Sequence, residues 1–397
     1  MNHKTNTKAA DQSDHEPSWR EVFLYFLMLG FVNVGGPVAQ ITMMYNHMVE
    51  RKHWLSNDRF VKIMSFCHLL PGPEALQLAI YVGYLKGRLL GGIVAGLTFI
   101  IPGAVAMIIL SWLYIRYGAL PQLNNVLYVL KPAVLGIICA GILKLGRASI
   151  TSVFLAVLLV LAFAGMYFAG VNFLLIMIAA GFLNFLFAEG WPRLRKITNV
   201  APVTFPIILG GLIAALPFAN SRWLQMSWLF LKTGMFSFGG AYASIIFLER
   251  GAVADHGWLT AGQLLDGIAL SVATPGPFML FTTFVGYLAG GVKGAALATF
   301  LVFLPSFVFV LAGARYFEQV RSNHFIQAFL AGASAAVVGI IIVVSLDLAP
   351  EAVSGLPGML IALAAFLLIT LLKIDVAAVA VGALAGGILY ALTRGTY

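Results

Sequence analysis

The sequence predicts an all-α polytopic membrane protein made of two inverted repeats of about six helices each, joined by a central span. Three observations lead to this fold class. Hydrophobic residues make up 61% of the 397 positions, and charged residues make up only 10%. Apolar stretches long enough to cross a bilayer recur along the whole chain. The first half of the sequence also matches the second half in register, and each half contains a Pro-Gly-Pro run that breaks a helix.

The composition excludes an ordinary soluble domain, which contains about 45–50% apolar and about 25% charged residues. A helix needs about 20 apolar residues to cross a hydrocarbon core of about 30 Å. The chain contains thirteen candidate spans; 20–46 and 62–86 are among them, and 171–188 and 203–218 are the shortest. The net charge of +9 does not indicate nucleic acid, because Lys and Arg lie in short loops and form no basic stripe. Their bias toward alternate loops favours a cytoplasmic N-terminus.

An internal duplication defines the organisation of the chain. Three matched pairs lie 204 residues apart: Gly35-Gly36 with Gly239-Gly240, Trp54-Leu55 with Trp258-Leu259, and Pro71-Gly72-Pro73 with Pro275-Gly276-Pro277. After a one-residue deletion the offset is 203, and it links Gly83-Tyr84 to Gly286-Tyr287, Pro102 to Pro305, and Gly136 to Gly339. Coincidence between apolar helices accounts for scattered Leu, Val and Ala matches but not for matched Trp, Gly-Gly and Pro-Gly-Pro.

The duplication predicts four segments: a disordered cytoplasmic tail (1–18), a first transporter repeat (19–188), a linker with a candidate central span (189–222) and a second transporter repeat (223–397). Six spans plus one central span turn the second repeat upside down relative to the first. Many secondary transporters are built from such inverted repeats, with the substrate site where the repeats meet. If one of the two shortest spans does not cross, the repeats run parallel instead.

The Pro-Gly-Pro runs place a helix break at the same point of each repeat. Proline is well tolerated in the first turn of a helix, so Pro73 and Pro277 fit as starters of new helices. The N-terminus of such a helix presents free N–H groups and the positive end of the helix dipole, which bind anions. Simple proline kinks and glycine packing contacts are the alternative. The backbone part of the candidate substrate site is Gly35, Gly36, Pro71, Gly72, Pro73, Gly239, Gly240, Pro275, Gly276 and Pro277.

Polar residues inside the apolar stretches complete the candidate site, because intramembrane polar groups are costly and their retention indicates use. They are Asn33, Gln40, Glu74, Gln77, Lys131 and Lys232. The lysines are candidates for positive charge at the site, although Lys131 is near enough to the end of its span to snorkel to the interface. Glu74 either stabilises the first turn of its helix or carries a coupling proton. Asn33 and Gln40 either donate hydrogen bonds to an oxyanion or make interhelical contacts.

Several other classes of function are disfavoured by the sequence. The histidines lack ligand spacing, so neither a metal site nor a cofactor is expected. Cys67 and Cys139 lie in apolar stretches without CxxC spacing and are expected to be small buried residues. The fingerprints GxSxG and HExxH and the dinucleotide motif are absent from a suitable context, so a membrane-embedded enzyme is not expected. Residues 1–18 are polar, so no cleavable signal peptide is expected.

Several of these motifs together resemble the chromate ion transporter family in its long, two-domain form. They are the Gly-Gly-Pro of residues 35–37, Trp54-Leu55, the Leu-Pro-Gly-Pro of residues 70–73 with Gln77, Gly83-Tyr84, and their echoes in the second half. The resemblance extends over residues 18–393. It departs from the family pattern at Val34 and Ala241, and these departures leave the substrate open.

The resemblance implies a secondary active transporter that exports chromate, or a related tetrahedral oxyanion such as sulfate, across the bacterial inner membrane and is driven by the proton motive force. A passive, channel-like anion pathway and a sulfate transporter are the alternatives. The expected partners are the inorganic oxyanion and the lipid bilayer, without nucleic acid. A homodimer is among the oligomeric states that the sequence leaves open.

Overall fold

The computed structural model describes residues 17–33, 37–117, 121–189, 221–238, 241–314 and 323–394, and the regular elements in these ranges are helices. The first half contains α1 (Trp19–Val32), α2 (Pro37–Tyr45), α3 (Asn57–Leu69), α4 (Glu74–Tyr117), α5 (Pro121–Ser149), α6 (Val153–Tyr167) and α7 (Phe173–Glu189). The second half contains α8 (Arg222–Phe236), α9 (Ala243–Leu248), α10 (Ala261–Ala273), α11 (Phe281–Gly313), α12 (His324–Ala352), α13 (Gly355–Thr370) and α14 (Val376–Arg394). Short π-helical turns follow α2 and α9, at Asn46–Arg51 and Glu249–Asp255, and a 3₁₀ turn at Phe278–Leu280 precedes α11.

The helices have the length and surface of a membrane protein. Among the described residues, five helical stretches are long and apolar enough to cross a membrane: Glu74–Tyr117, Leu123–Ser149, Phe278–Gly313, His324–Ala352 and Val376–Thr393. Large apolar side chains remain on the outside, such as Val153 at 83% exposure and Phe168 at 77%. Such a surface suits lipid rather than water, and the predicted all-α membrane fold is confirmed. Residues 1–16 of the predicted tail and the predicted central span at 203–218 lie outside the described residues.

The first predicted span of each repeat folds back on itself. The Tyr25 hydroxyl donates a hydrogen bond of 3.3 Å to the carbonyl of Met43, and its ring stacks on His47 with centroids 3.9 Å apart. On one straight helix, Tyr25 and Met43 would lie about 27 Å apart at a rise of about 1.5 Å per residue. In the second repeat, a Cβ added to Gly251 would overlap the Leu229 side chain. The pairs α1–α2 and α8–α9 are therefore helical hairpins, where the sequence predicts single spans.

The predicted breaks at Pro-Gly-Pro form the tips of a second hairpin in each repeat. The Phe66 ring of α3 contacts the Tyr81 ring of α4 with centroids 5.9 Å apart, so the two helices fold against each other. In the second repeat, a Cβ on Gly267 of α10 would overlap the Phe284 ring of α11. Both α3 and α10 have 13 residues, which is about 20 Å of helix and too short to cross the hydrocarbon core. The broken helices predicted at Pro-Gly-Pro are confirmed.

The helix that leaves each tip turns back once more after a few turns. In α4 the backbone departs from helical geometry at Gly87 and Arg88, and α11 does the same at Gly290 and Gly291. Just beside the turn in α4, a Cβ on Gly83 would overlap the carbonyl oxygen of Gly91, and the second repeat has the same contact. The segments 74–86 and 89–117 therefore pack against each other in close backbone contact.

The two repeats run in opposite directions. Helices α5 and α12 are equivalent at the offset of 203. Near the end of α5, Gly146 faces Val338 in the middle of α12. Near the start of α5, the Lys131 Nζ lies beside the Glu351 Oε2 from the end of α12, since both atoms lie within 3.4 Å of the Cβ position of Gly262. Equivalent helices that pack antiparallel confirm the predicted inverted repeat.

The repeats also exchange their long helices, in the sense that one long helix of each repeat packs against helices of the other repeat. Helix α5 of the first repeat packs mainly on α13 and α14 of the second, and α12 packs on α6 and α7 of the first. Equivalent glycines allow the closest approaches. A Cβ on Gly136 would overlap the carbonyl of Ala362, and a Cβ on Gly339 would overlap the carbonyl of Leu159. Small residues at such crossings let helix backbones touch, so each half completes the packing of the other.

Candidate substrate site at the crossed hairpin tips

The hairpin tips of the two repeats meet near the middle of the molecule through a reciprocal pair of hydrogen bonds. The Gly72 N–H donates to the carbonyl of Ser237 at 3.1 Å, and the Gly276 N–H donates to the carbonyl of Asn33 at 2.8 Å. Gly72 and Gly276 are equivalent at the offset of 204, and so are Asn33 and Ser237. Reciprocal contacts between equivalent residues are the mark of a two-fold relation. Each Pro-Gly-Pro tip therefore docks on the first hairpin of the other repeat.

The backbone conformation at each tip requires a glycine. Gly72 has φ +115° and Gly276 has φ +112°, conformations that residues with a Cβ rarely adopt. A Cβ on Gly72 would also lie 2.5 Å from the Ser306 Oγ, and a Cβ on Gly276 would lie 3.3 Å from the Cα of Gly103. Gly103 and Ser306 are equivalent at the offset of 203 and directly follow the prolines within α4 and α11. The long helices thus cover the tips from the opposite repeat.

Four buried polar atoms around the tips have no hydrogen-bond partner among the described residues: the Asn33 Nδ2 and Oδ1, the Gln77 Oε1 and the Ser306 Oγ. All three side chains are fully buried. In the described part of the chain, the other buried side-chain atoms without a hydrogen bond belong to Glu249, Arg250 and Asp266, and each belongs to an ion pair of 3.2 Å or less. Leaving a buried polar group unpaired costs about 1–3 kcal/mol. We call these four atoms the unpaired tip atoms, and they are available to a bound ligand.

Two glutamines of the first repeat hold the tip carbonyls. The Gln77 Nε2 donates to the carbonyl of Pro71 at 2.7 Å, and the Gln40 Nε2 donates to the carbonyl of Gly276 at 2.9 Å. The equivalent of Gln77 is Phe281, whose ring packs 5.6 Å from the ring of Phe278. One tip is therefore lined by an amide and the other by aromatic rings.

The chemistry offered at the tips suits an anion. Helices α2 and α4 both begin there, as does the 3₁₀ turn before α11, so the positive ends of their dipoles face the centre of the molecule. The described side chains add neutral donors, the Asn33 amide and the Ser306 hydroxyl. Dipoles and neutral donors lower the energy of an anion without a fixed cation that would hold it too tightly for release.

Comparison with known proteins identifies the family. The sequence model described as "Chromate transporter" matches residues 20–185 and, a second time, residues 224–389. This chain belongs to the chromate transporter family. The transporter carries the family pattern twice, at the spacing of its internal duplication. Since the family consists of transport proteins, the chain is a membrane transporter and not an enzyme.

Named relatives match the transporter over most of its length. A "Chromate transport protein" of Cupriavidus metallidurans is 32% identical over 365 residues, which is 90% of each chain. A "Chromate transport protein" of Pseudomonas aeruginosa is 34% identical over 88% of this chain and 85% of the relative. A "Probable chromate transport protein" of Synechococcus elongatus is 32% identical over 88% of this chain and 89% of the relative. No solved structure matches the transporter.

The structure brings only part of the predicted site together. Asn33, Gln40, Gln77 and the two Pro-Gly-Pro runs converge at the tips, as described above. The predicted glycines Gly35, Gly36, Gly239 and Gly240 lie outside the described residues.

The three charged residues predicted for the site each contact another side chain of the transporter. The Lys131 Nζ lies 3.2 Å from the Asp266 Oδ1. The Lys232 Nζ lies 5.7 Å from the ring centroid of Trp228, one turn earlier on α8. The Glu74 Oε1 lies 2.9 Å from the His68 Nδ1, and the Glu74 side chain is 24% exposed. These contacts account for the three side chains without a ligand.

Sequence reasoning did not find Ser306 or Asp266. The signal for Ser306 was its place directly after Pro305, the partner of Pro102 in the duplication. The signal for Asp266 was a carboxylate within an apolar stretch. The duplication singles out neither residue, because their counterparts in the first half, Gly103 and Lys62, are of a different chemical kind.

Proposed function

We propose that this transporter exports chromate, or a closely related tetrahedral oxyanion, across the bacterial inner membrane at the expense of the proton motive force. Membership of the chromate transporter family supports chromate as the transported ion. The observation that carries the proposal for the site is the pair of buried donors among the unpaired tip atoms, the Asn33 Nδ2 and the Ser306 Oγ, at the crossing of the two inverted repeats.

A tetrahedral oxyanion fits the distribution of these donors. Its oxygens are hydrogen-bond acceptors that point in four directions, so it needs donors from several elements at once. Asn33 comes from the end of α1 and Ser306 from the middle of α11, while α4 contributes its N-terminus. An anion bound here leaves its water shell and accepts hydrogen bonds from the two donors among the unpaired tip atoms, the Asn33 Nδ2 and the Ser306 Oγ.

The reciprocal tip contacts support alternating access. Among the described residues, one backbone hydrogen bond joins each tip to the first hairpin of the other repeat, Gly72 to Ser237 and Gly276 to Asn33. In inverted-repeat transporters, one unit rocks against the other around a fixed central site. We expect the two bonds to open in turn, so that the site faces first one side of the membrane and then the other.

Transport by the purified protein in proteoliposomes tests the proposal. With an imposed pH gradient, we expect saturable uptake of labelled chromate that stops when an ionophore collapses the gradient. Competition by sulfate, molybdate and phosphate then defines the substrate range, in which sulfate is a predicted second substrate. The absence of saturable chromate flux would refute the proposal.

The same preparation separates the remaining alternatives. Flux that continues unchanged after the gradient has been collapsed would indicate a passive, channel-like pathway, which needs no coupling residue. Competition in which sulfate is preferred over chromate would indicate a sulfate transporter. Sedimentation of the purified protein tests the homodimer, and fractionation of a bacterial host tests its location in the inner membrane.

A further inference from the structure

A buried ion pair lies outside the tip site, where α4, α5 and α10 meet. The Lys131 Nζ of α5 lies 3.2 Å from the Asp266 Oδ1 of α10, with side-chain exposures of 23% and 4%. The Tyr114 hydroxyl of α4 donates a hydrogen bond of 2.8 Å to the Asp266 Oδ2. A buried ion pair is seldom a net source of stability, because removing two charges from water offsets their attraction. This cluster therefore calls for a role other than stabilisation.

Lys131 has a second carboxylate within reach. The Cβ position of Gly262 lies 3.4 Å from the Lys131 Nζ and 3.0 Å from the Glu351 Oε2, so both charged atoms border the same glycine. Glu351 lies on α12 and is exposed, whereas Asp266 is buried. One lysine thus lies between a buried carboxylate and an exposed one, and it has two alternative partners.

Three groups on the elements packed around Asp266 interact with its carboxylate. Lys131, Tyr114 and Glu351 act on it from α5, α4 and α12. Helix α11 faces α10 with the Phe284 ring, and α14 has no charged residue between 376 and 393. The π-helical turn after α9 pairs its own Glu249 with Arg250 at 3.1 Å.

The cluster occurs in one repeat only and joins both repeats. The equivalent of Asp266 is Lys62, which is 50% exposed and pairs with Asp58 on its own helix. The equivalent of Lys131 is Ser334. The fold that the repeats share therefore does not require this ion pair. Because Lys131 and Tyr114 belong to the first repeat and Asp266 to the second, its contacts lie at the interface that alternating access must rearrange.

We propose that Asp266 carries the coupling proton and that Lys131 is its switching counter-ion. This inference rests on the proposed function. An Asp266 carboxylate oxygen accepts a proton from water on one side of the membrane and becomes a neutral carboxyl group. Lys131 keeps its charge and moves from Asp266 to Glu351, which loosens the contact between the repeats. When the carboxyl group releases the proton to water on the other side, Lys131 returns and the contact closes. The donor is a hydronium ion and the final acceptor is water, so each proton transfer breaks one O–H bond and forms another, and no other covalent bond changes.

Two transport modes in proteoliposomes test the inference with wild type and Asp266→Asn. Exchange of external labelled chromate for internal chromate needs no net proton movement, whereas accumulation against a gradient does. For Asp266→Asn we expect exchange within about twofold of wild type and a loss of about tenfold or more in accumulation driven by a pH gradient. Asp266→Glu should restore part of the driven accumulation.

Matched controls separate coupling from general damage. Asp347→Asn removes a carboxylate that pairs with Arg250 at 2.8 Å but is 40% exposed, and we expect both modes to stay as in wild type. The double variant Lys131→Gln with Asp266→Asn leaves no charge of the buried pair without its partner, and Glu351 is exposed to solvent. If the single variant misfolds, the double variant must still exchange chromate without coupling it. Glu74→Gln tests the other predicted proton carrier; whatever its effect on binding, the ratio of its driven accumulation to its exchange should stay as in wild type.

The outcomes distinguish the two proposals. If wild type shows no chromate flux, the proposed function fails. If wild type shows driven accumulation and Asp266→Asn, well folded, shows the same, the proton role of Asp266 fails and the proposed function stands. Loss of driven accumulation in Glu74→Gln with retention in Asp266→Asn would move the proton role to Glu74.

Discussion

Among single residues, Ser306 is the one whose substitution should change substrate binding and protein stability in opposite directions. Its hydroxyl is buried without a partner among the described residues, so Ser306→Ala removes an unfavourable polar group from the empty protein. The same change removes a donor from the oxyanion. We expect the melting temperature of the purified protein to stay or rise, and the KM for chromate to increase about 5–10-fold, as for a hydrogen bond of about 1 kcal/mol.

A buried serine whose hydroxyl has a hydrogen-bond partner is the control for this prediction. The Ser111 Oγ donates a hydrogen bond of 2.6 Å to the carbonyl of Met107 in its own helix. Ser111→Ala should leave the KM for chromate unchanged. A Ser306→Ala protein with the wild-type KM would remove this hydroxyl from the site.

A sequence marks a polar residue as a candidate for the site when the residue stands in an unusual position, such as beside a helix break in an apolar stretch. Asn33 and Gln77 stand out because each is an amide beside a helix break in an apolar stretch. Serine is common in membrane helices, where it bonds its own backbone, so Ser306 gives no such signal. The lysines stand out by charge alone, but a sequence does not reveal that Lys131 lies 3.2 Å from Asp266, which is 135 residues away in the chain. The site chemistry thus depends on contacts between the repeats.

Among helices, the turn that separates the two arms of α4 differs between the repeats in a testable way. Arg88 has φ 50° and ψ −136°, and its equivalent Gly291 has φ 62° and ψ −154°. This region of backbone conformation belongs to glycine, and another residue there is strained by about 1–3 kcal/mol. Since the Arg88 side chain is exposed, Arg88→Gly should stabilise the protein by about 1 kcal/mol after the greater chain entropy of glycine is subtracted.

The reverse change in the second repeat is the complementary test. A Cβ on Gly291 meets no atom within 4 Å, so Gly291→Ala tests backbone strain without a packing clash. We expect a loss of about 1–2 kcal/mol, measured as a lower midpoint of thermal unfolding in detergent. Equal stability of Gly291→Ala and wild type would show that the turn relaxes without strain.

The hairpins mark the limit of what hydropathy reveals about helices. Residues 20–46 are predominantly apolar, and the summed length of both hairpin arms is that of one membrane span. Hydropathy does not distinguish a helix that folds back within the membrane from a helix that crosses it, because both lie in the same apolar surroundings. The break at Pro71-Gly72-Pro73 was predictable because proline and a glycine of positive φ leave a direct trace in the sequence.

In the whole molecule, the relative orientation of the repeats depends on whether the number of membrane crossings between them is odd or even. Predicting single spans where the structure has hairpins does not change this parity. Two of the predicted spans in the first repeat, 20–46 and 62–86, fold back, and removing an even number of crossings leaves the orientation of the second repeat unchanged. The exchange of α5 and α12 between the repeats was not predictable, since each of these helices is apolar on several faces and its partners lie far away in the chain.

This exchange predicts that the transporter can be assembled from two separately made halves. We expect fragments that end and begin within residues 190–220 to co-purify when expressed together, because α5 needs α13 and α14, and α12 needs α6 and α7. Each fragment expressed alone should be degraded, because the helices that pack against its glycines are missing and the exposed partner-facing surface stays apolar. Co-purification through a tag on one fragment measures the association.

Gly339 is the point at which this assembly is most easily broken. Its Cβ would overlap the carbonyl of Leu159, so Gly339→Leu should reduce co-purification about tenfold, as for overpacking by about 1–3 kcal/mol. Gly382→Leu is the matched control, because a Cβ there meets no atom within 4 Å, and it should leave the yield unchanged. If Gly339→Leu fragments associate as well as wild type, the helices of the two repeats do not cross as closely as the exchange requires, and the site at their centre loses its frame.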